Sequence, residues 1–122
     1  MDAELPSTEP VPNPVAKGEG PVRVSLPEPG IVLITLDAPG RRNALSREMM
    51  SALHRAFADV SGDRDVAAIV LAANGPAFSA GHDLKELSAH RVDPDGGRAF
   101  YRETMAACAR LMQAIVRTPK PV

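Results

Sequence analysis

Three features of the sequence predict an α/β fold: a pair of short runs that alternate or are β-branched, an apolar strand-like run further on, and two long stretches with apolar residues at helical spacing. They follow one another in the order β-β-α-β-α.

Residues 1–21 hold five prolines (Pro6, Pro10, Pro12, Pro14 and Pro21) and little apolar clustering. Such a composition buries too little surface to order itself, so a flexible tail is expected there, ahead of a domain over 22–122. "VRVSL" (22–26) alternates, "PEPG" (27–30) reads as a turn, and "IVLITL" (31–36) is β-branched and apolar. Together they predict a β-hairpin. "DAPGRRN" (37–43) follows as a loop. Ser46 is an N-cap candidate and Glu48 stands in the first turn, where a negative charge suits the helix dipole. Met49, Met50, Leu53, Phe57 and Val60 then recur at helical spacing, predicting a helix over about 47–60.

"SGDRD" ends that helix, and "VAAIVLAA" (66–73) predicts a strand buried on both faces. "FSAGHDLKEL" (78–87) runs from a small-residue loop into a short helical pattern. A second long helix is expected over 98–117, with Tyr101, Met105, Cys108, Leu111, Met112 and Ile115 on its apolar face and Pro119 beyond its end.

At 122 residues the chain is one domain or less. The net charge of −1, with both signs mixed along the chain, argues against nucleic acid or an anionic membrane as the main partner. It leaves room for one phosphorylated ligand held by a few Arg or Lys. Cys108 is the sole cysteine, which excludes intrachain disulfides and cysteine-rich zinc sites, and its place on the apolar helix face reads as core. No run is long enough to cross a membrane, and no basic-then-apolar secretory signal opens the chain. A reducing, cytoplasmic home is the simplest expectation.

The loop before "DLKEL" admits three readings. A His82–Asp83 catalytic or metal pair is disfavoured, because adjacent residues on extended backbone point apart. The remaining histidines, His54 and His90, complete no metal-binding spacing, so no metal site is expected. An ordinary strand-to-helix turn is the plain alternative. The third reading is a loop whose backbone N–H groups face a ligand oxygen. Gly81 can take positive φ and admit close approach, Ser79 and Ala80 add no bulk, and a helix begins at Asp83–Leu84. Spacing alone leaves the second and third readings open.

A resemblance bears on the choice. "RRNALS" (41–46), the amphipathic helix, "AAIVLAANGPAFSAGHDLKEL" (67–87) and the closing "TPKPV" (118–122) resemble the N-terminal part of the crotonase, or enoyl-CoA hydratase/isomerase, superfamily. The likeness runs from about Val22 to Val122, with the motifs in the family's order. "GHDLKEL", with histidine after the glycine, is similar to the subfamily of enoyl-CoA hydratase domain-containing proteins.

The resemblance implies a crotonase-like spiral of ββα turns, here incomplete. It implies that the backbone N–H of His82, just after Gly81, is the first of two oxyanion-hole donors for an acyl-CoA thioester. Arg42, Ala44 and Leu45 match the loop that cradles the CoA nucleotide and pantetheine, and Ala80, Asp83, Leu84 and Lys85 match the CoA and acyl path. The alternative for Arg42 and Lys85 is solvated surface charge. No cofactor is implied beyond coenzyme A as part of the substrate, and a homo-oligomer is expected, a trimer or hexamer in the family. The second donor, on a glycine-rich turn, and the catalytic glutamates follow "TPKPV" in the family. Glu86 and Glu103 match no position used for chemistry, and Glu86 reads as a helix-surface charge. The chain is thus expected to be the first part of such an enzyme and inactive alone. The alternative is a non-catalytic fragment that at most binds CoA or needs a partner chain to complete its fold.

Overall fold

The apolar residues of β2 (Ile31–Leu36) alternate in burial, and this alternation organises the domain: Val32, Ile34 and Leu36 lie in the core while Ile31, Leu33 and Thr35 are half-buried. The computed structural model describes residues 20–122, so the tail expected over 1–21 lies outside the described residues except for Gly20 and Pro21. Pro21 belongs to the domain edge, not to a tail, since its carbonyl accepts the Asp37 N–H at 2.7 Å.

β1 (Val22–Glu28) pairs antiparallel with β2, and β2 pairs parallel with β3 (Ala68–Ala73), in the order β1-β2-β3. The first strand runs two residues past its expected end at Leu26, through Pro27 to Glu28. Its pairing is irregular between Ser25 and Glu28, and proline, which has no N–H to donate, is tolerated on such an outer strand. The parallel β2–β3 pair needs a long crossover, supplied by α1 (Arg47–Ser61). Ser46 caps that helix as expected, its Oγ accepting the Met49 N–H at 3.0 Å.

Met49, Met50, Leu53, Phe57 and Val60 are all buried against the sheet and against α3 (Arg98–Arg117). One face of the sheet is thereby covered. Among the described residues its other face is not, which corrects the expectation for β3: Ile69 is buried, but Val70 on the opposite side is half-exposed, because none of the described helices lies over it. α3 packs chiefly on α1, with Tyr101 and Phe100 near its start also reaching Leu87 of the short helix that precedes it and His90 just after that helix. Thr104 and Leu111 are its buried residues, with Ala107, Cys108 and Ile115 packed beside the core. Met105 and Met112, placed on the apolar face by periodicity, are exposed. The short helix α2 (Leu84–Ala89) follows the loop after β3. Among the described residues, no helix is long and apolar enough to cross a membrane.

Candidate functional site

Residues 37–46, between β2 and α1, and residues 74–83, between β3 and α2, run alongside each other. Arg42 and Asn43 both adopt left-handed backbone, each with φ of 52°. That conformation is uncommon without glycine, and asparagine tolerates it best among larger residues. The turn drives the Asn43 side chain inward, where it is fully buried. Its Oδ1 accepts the Ala38 N–H at 2.8 Å, and its Nδ2 donates to the carbonyls of Asn74 at 2.8 Å and Ala77 at 3.0 Å. One amide thus closes its own loop and grips the other.

Further ties set the register. Ser79 Oγ donates to the Asn43 carbonyl at 2.8 Å and accepts the Gly81 N–H at 3.1 Å. The Ala80 N–H donates to the Arg42 carbonyl at 2.9 Å, and the Leu45 N–H to the Gly81 carbonyl at 2.7 Å, so that Leu45 and His82 form a parallel bridge. The Ala80 and Gly81 N–H groups therefore have acceptors. The His82 N–H is bonded to none among the described residues. Gly81 has φ of 86°, and a Cβ built there would meet no atom within 4 Å. The space in front of it is open.

Asp83 is buried and caps α2: its Oδ1 accepts the N–H groups of Lys85 and Glu86, each at 3.1 Å. Its Oδ2 forms an ion pair with Arg41. Glu86, expected as a free surface charge, instead reaches back to the start of α1, where its Oε1 accepts the Arg47 N–H at 2.9 Å. The carboxylate satisfies one of the N–H groups that a helix start leaves unpaired, which is why it is drawn in from solvent.

Between the loops lies a cleft of about 440 Å³. Arg42, Ala44, Ala80, Asp83, Leu84 and Lys85 line it with His82, joined by Gly40 and Arg41. Leu45 stands behind it, against the core. The structure therefore gathers nearly every residue named from the sequence into one place. His82 Nδ1 is buried and has no hydrogen-bond partner. His54 is exposed on α1, while His90 stacks on Phe100 at 3.5 Å and bonds Asp93 through Nδ1 at 2.8 Å. Among the described residues no three His, Cys, Asp or Glu converge on a metal-sized space.

Asn43, Ser79, Arg41 and Glu86 were not identified from the sequence as site builders. The signal for Asn43 was local and weak, an asparagine after a Pro-Gly turn. Its partners lie some 31 to 34 residues away and follow no spacing rule.

The fold and cleft together define an α/β domain with a two-loop cleft beside its sheet, and comparison with known proteins makes the class specific. The family profile for enoyl-CoA hydratase/isomerase matches residues 27–122, and the chain belongs to that family. It is 38% identical over 93 residues to the human enoyl-CoA hydratase domain-containing protein 3, mitochondrial, a match that covers 76% of this chain and 29% of the relative. It is 40% identical over 91 residues to a putative enoyl-CoA hydratase of Thermus thermophilus, covering 75% of this chain and 35% of that one. Among solved structures, the enoyl-CoA hydratase of Mycobacterium smegmatis superposes with a TM-score of 0.76 at 44% identity, over 85% of this chain and 38% of that one. The fold is thus crotonase-like, and the chain spans about a third of the length of the curated relatives it matches.

Proposed function

We propose that these residues form the CoA-binding side and the first oxyanion donor of an acyl-CoA site. Addition of water or movement of a proton next to a thioester places negative charge on the thioester oxygen. A fixed N–H aimed at that oxygen stabilises the charge, and one such donor contributes roughly 10²–10³ in rate. The observation that carries the reading is the His82 N–H. It is left without an acceptor at the edge of the cleft, while its neighbours Ala80 and Gly81 are tied into the scaffold. Arg42 and Lys85 offer cations to the CoA phosphates, and the Asp83–Arg41 pair holds the loop rather than the ligand.

Oxyanion catalysis of this kind uses a second donor and an acid/base group, which the resemblance puts outside these residues. CoA binding is therefore the direct test, by equilibrium dialysis of the 122-residue chain. Saturable binding weakened by Arg42→Ala and Lys85→Ala is expected, together with no loss of crotonyl-CoA absorbance above a heat-treated control. CoA binding indifferent to both substitutions would remove the assignment.

A second reading, a non-catalytic chain that needs another polypeptide to complete its fold, is favoured by the half-exposed Val70 on the uncovered sheet face. Crotonyl-CoA turnover by the purified chain alone would dispose of it.

A further inference from the structure

Away from the cleft, α1 and α3 lie side by side and run in the same direction. Arg47 meets Glu103 at 3.8 Å near their first turns, and Ser61 Oγ lies 3.4 Å from Thr118 Oγ1 at their ends. The groove between them has a volume of about 440 Å³. Met50 and Ala107 form its apolar floor, and Ser51, His54 and three arginines, Arg47, Arg55 and Arg110, form its walls. On α1 the positions 47, 51, 54 and 55 share one face, since they are spaced by one and two helical turns.

No carboxylate is part of the lining. The acids nearby are otherwise accounted for. Glu103 meets Arg47, Glu48 stands beside Gly20, and Asp59, one turn after Arg55, makes no ion pair with it. Arg55 and Arg110 are both exposed and have no anionic partner among the described residues. Arg47 is further fixed by Phe100, whose ring centroid lies 5.8 Å from its guanidinium carbon.

Two guanidiniums without anionic partners, those of Arg55 and Arg110, line one groove beside Arg47, whose charge Glu103 offsets; the chain as a whole is net negative, so general basicity does not explain them. A phosphate dianion would supply the anionic partner that Arg55 and Arg110 lack and match the planar fork of each. The groove's volume is within the range of small-molecule sites, and no Phe, Tyr or Trp lines it for nucleobase stacking. We propose that the α1–α3 groove is a second anion site, which takes a small phosphorylated molecule between Arg55 and Arg110. Arg47 braces one end, and the non-phosphate part lies on Met50 and Ala107. The site is independent of the acyl-CoA cleft.

The test is equilibrium dialysis of the 122-residue chain against labelled inorganic pyrophosphate, with Arg42→Ala run in parallel to silence the cleft. Saturable binding that survives Arg42→Ala is expected. It should weaken about tenfold or more with Arg55→Ala or Arg110→Ala, as befits loss of a charge-assisted hydrogen bond. Because both arginines are exposed and unpaired, circular dichroism should be unchanged in these variants. Arg55→Lys and Arg110→Lys, which keep the charge but lose the fork, should fall between. Absence of saturable binding would overturn the proposal, as would binding lost only with Arg42→Ala. So would a single-stranded oligonucleotide that binds through the same arginines at least tenfold more tightly than pyrophosphate, because the groove would then belong to a nucleic-acid surface.

Discussion

The Asn43 side-chain amide donates to the Asn74 carbonyl at 2.8 Å, and this bond joins the turn after β2 to the turn after β3. The same side chain accepts from Ala38 and donates to Ala77, so one buried residue fixes both walls of the cleft. Replacing it by alanine strands a buried N–H and two carbonyls. Each group left unsatisfied costs about 1–3 kcal/mol, and alanine fits the left-handed backbone less well than asparagine. Asn43→Ala should therefore destabilise the fold by roughly 3 kcal/mol or more, read as a lower midpoint in urea. Loss of CoA binding should accompany it even in the fraction that stays folded. An unchanged midpoint would mean that water replaces the amide without cost.

Gly81 and His82 separate backbone from side-chain roles. Gly81 has φ of 86°, which a β-branched residue strongly disfavours, and its missing Cβ leaves open space where a ligand oxygen would approach. In a full-length family enzyme carrying this loop, Gly81→Val should lower kcat by about 10²–10³, the usual cost of one oxyanion contact. His82→Ala keeps the N–H and should retain most activity. Both variants must first be shown folded by circular dichroism and melting. Equal losses in the two would assign a chemical role to the imidazole, whose Nδ1 is buried without a partner.

The hairpin, the capped helix α1 and the position of α3 were legible in the sequence because each depends on local periodicity or a local cap. So was the loop before α2, since Gly81 and the helix start at Asp83–Leu84 are neighbours in the chain, though the capping role of Asp83 was not. What escaped were features decided by distant neighbours. Val70 is apolar yet half-exposed because none of the described elements covers that face of the sheet, and a pattern cannot say how many layers a strand will meet. Met105 and Met112 fit a helical stripe but miss the narrow contact with α1. The Asn43 and Glu86 ties join residues more than thirty positions apart.

Exposed apolar side chains, on the sheet face and elsewhere, predict association. Val70 is 47% exposed, Phe78 56%, Leu84 73% and Val92 89%. Exposed apolar side chains favour self-assembly or partner binding where they lie on a bare surface such as the sheet face at Val70. Light scattering on the purified chain should show oligomers, and Val70→Lys, which places a charge on the bare sheet face, should shift the distribution toward monomer. A monodisperse monomer with a cooperative melt would count against the prediction.

Asp95 offers a test by pH. It accepts the Ala99 N–H at 2.8 Å and the Gly97 N–H at 2.9 Å, just where α3 begins. The bond from Ala99 first, and that from Gly97 next, hold its carboxyl below the ordinary carboxylate range. A group whose pKa is lowered by folding stabilises the fold when ionised. Its contribution is complete above the unfolded value, near 4, and is lost as the pH falls through the lowered one. Asp95 uses a separate oxygen for each N–H, so Asp95→Asn can still accept one of them through its amide oxygen but carries no charge, whereas Asp95→Ala loses both functions. Thermal melts should therefore rank wild type, Asp95→Asn and Asp95→Ala in decreasing order at pH 7. As the pH is lowered below 4, wild type should converge on Asp95→Asn, while Asp95→Ala stays lowest. A wild-type advantage over Asp95→Asn that persists unchanged in acid would show that the carboxylate charge is not what starts α3.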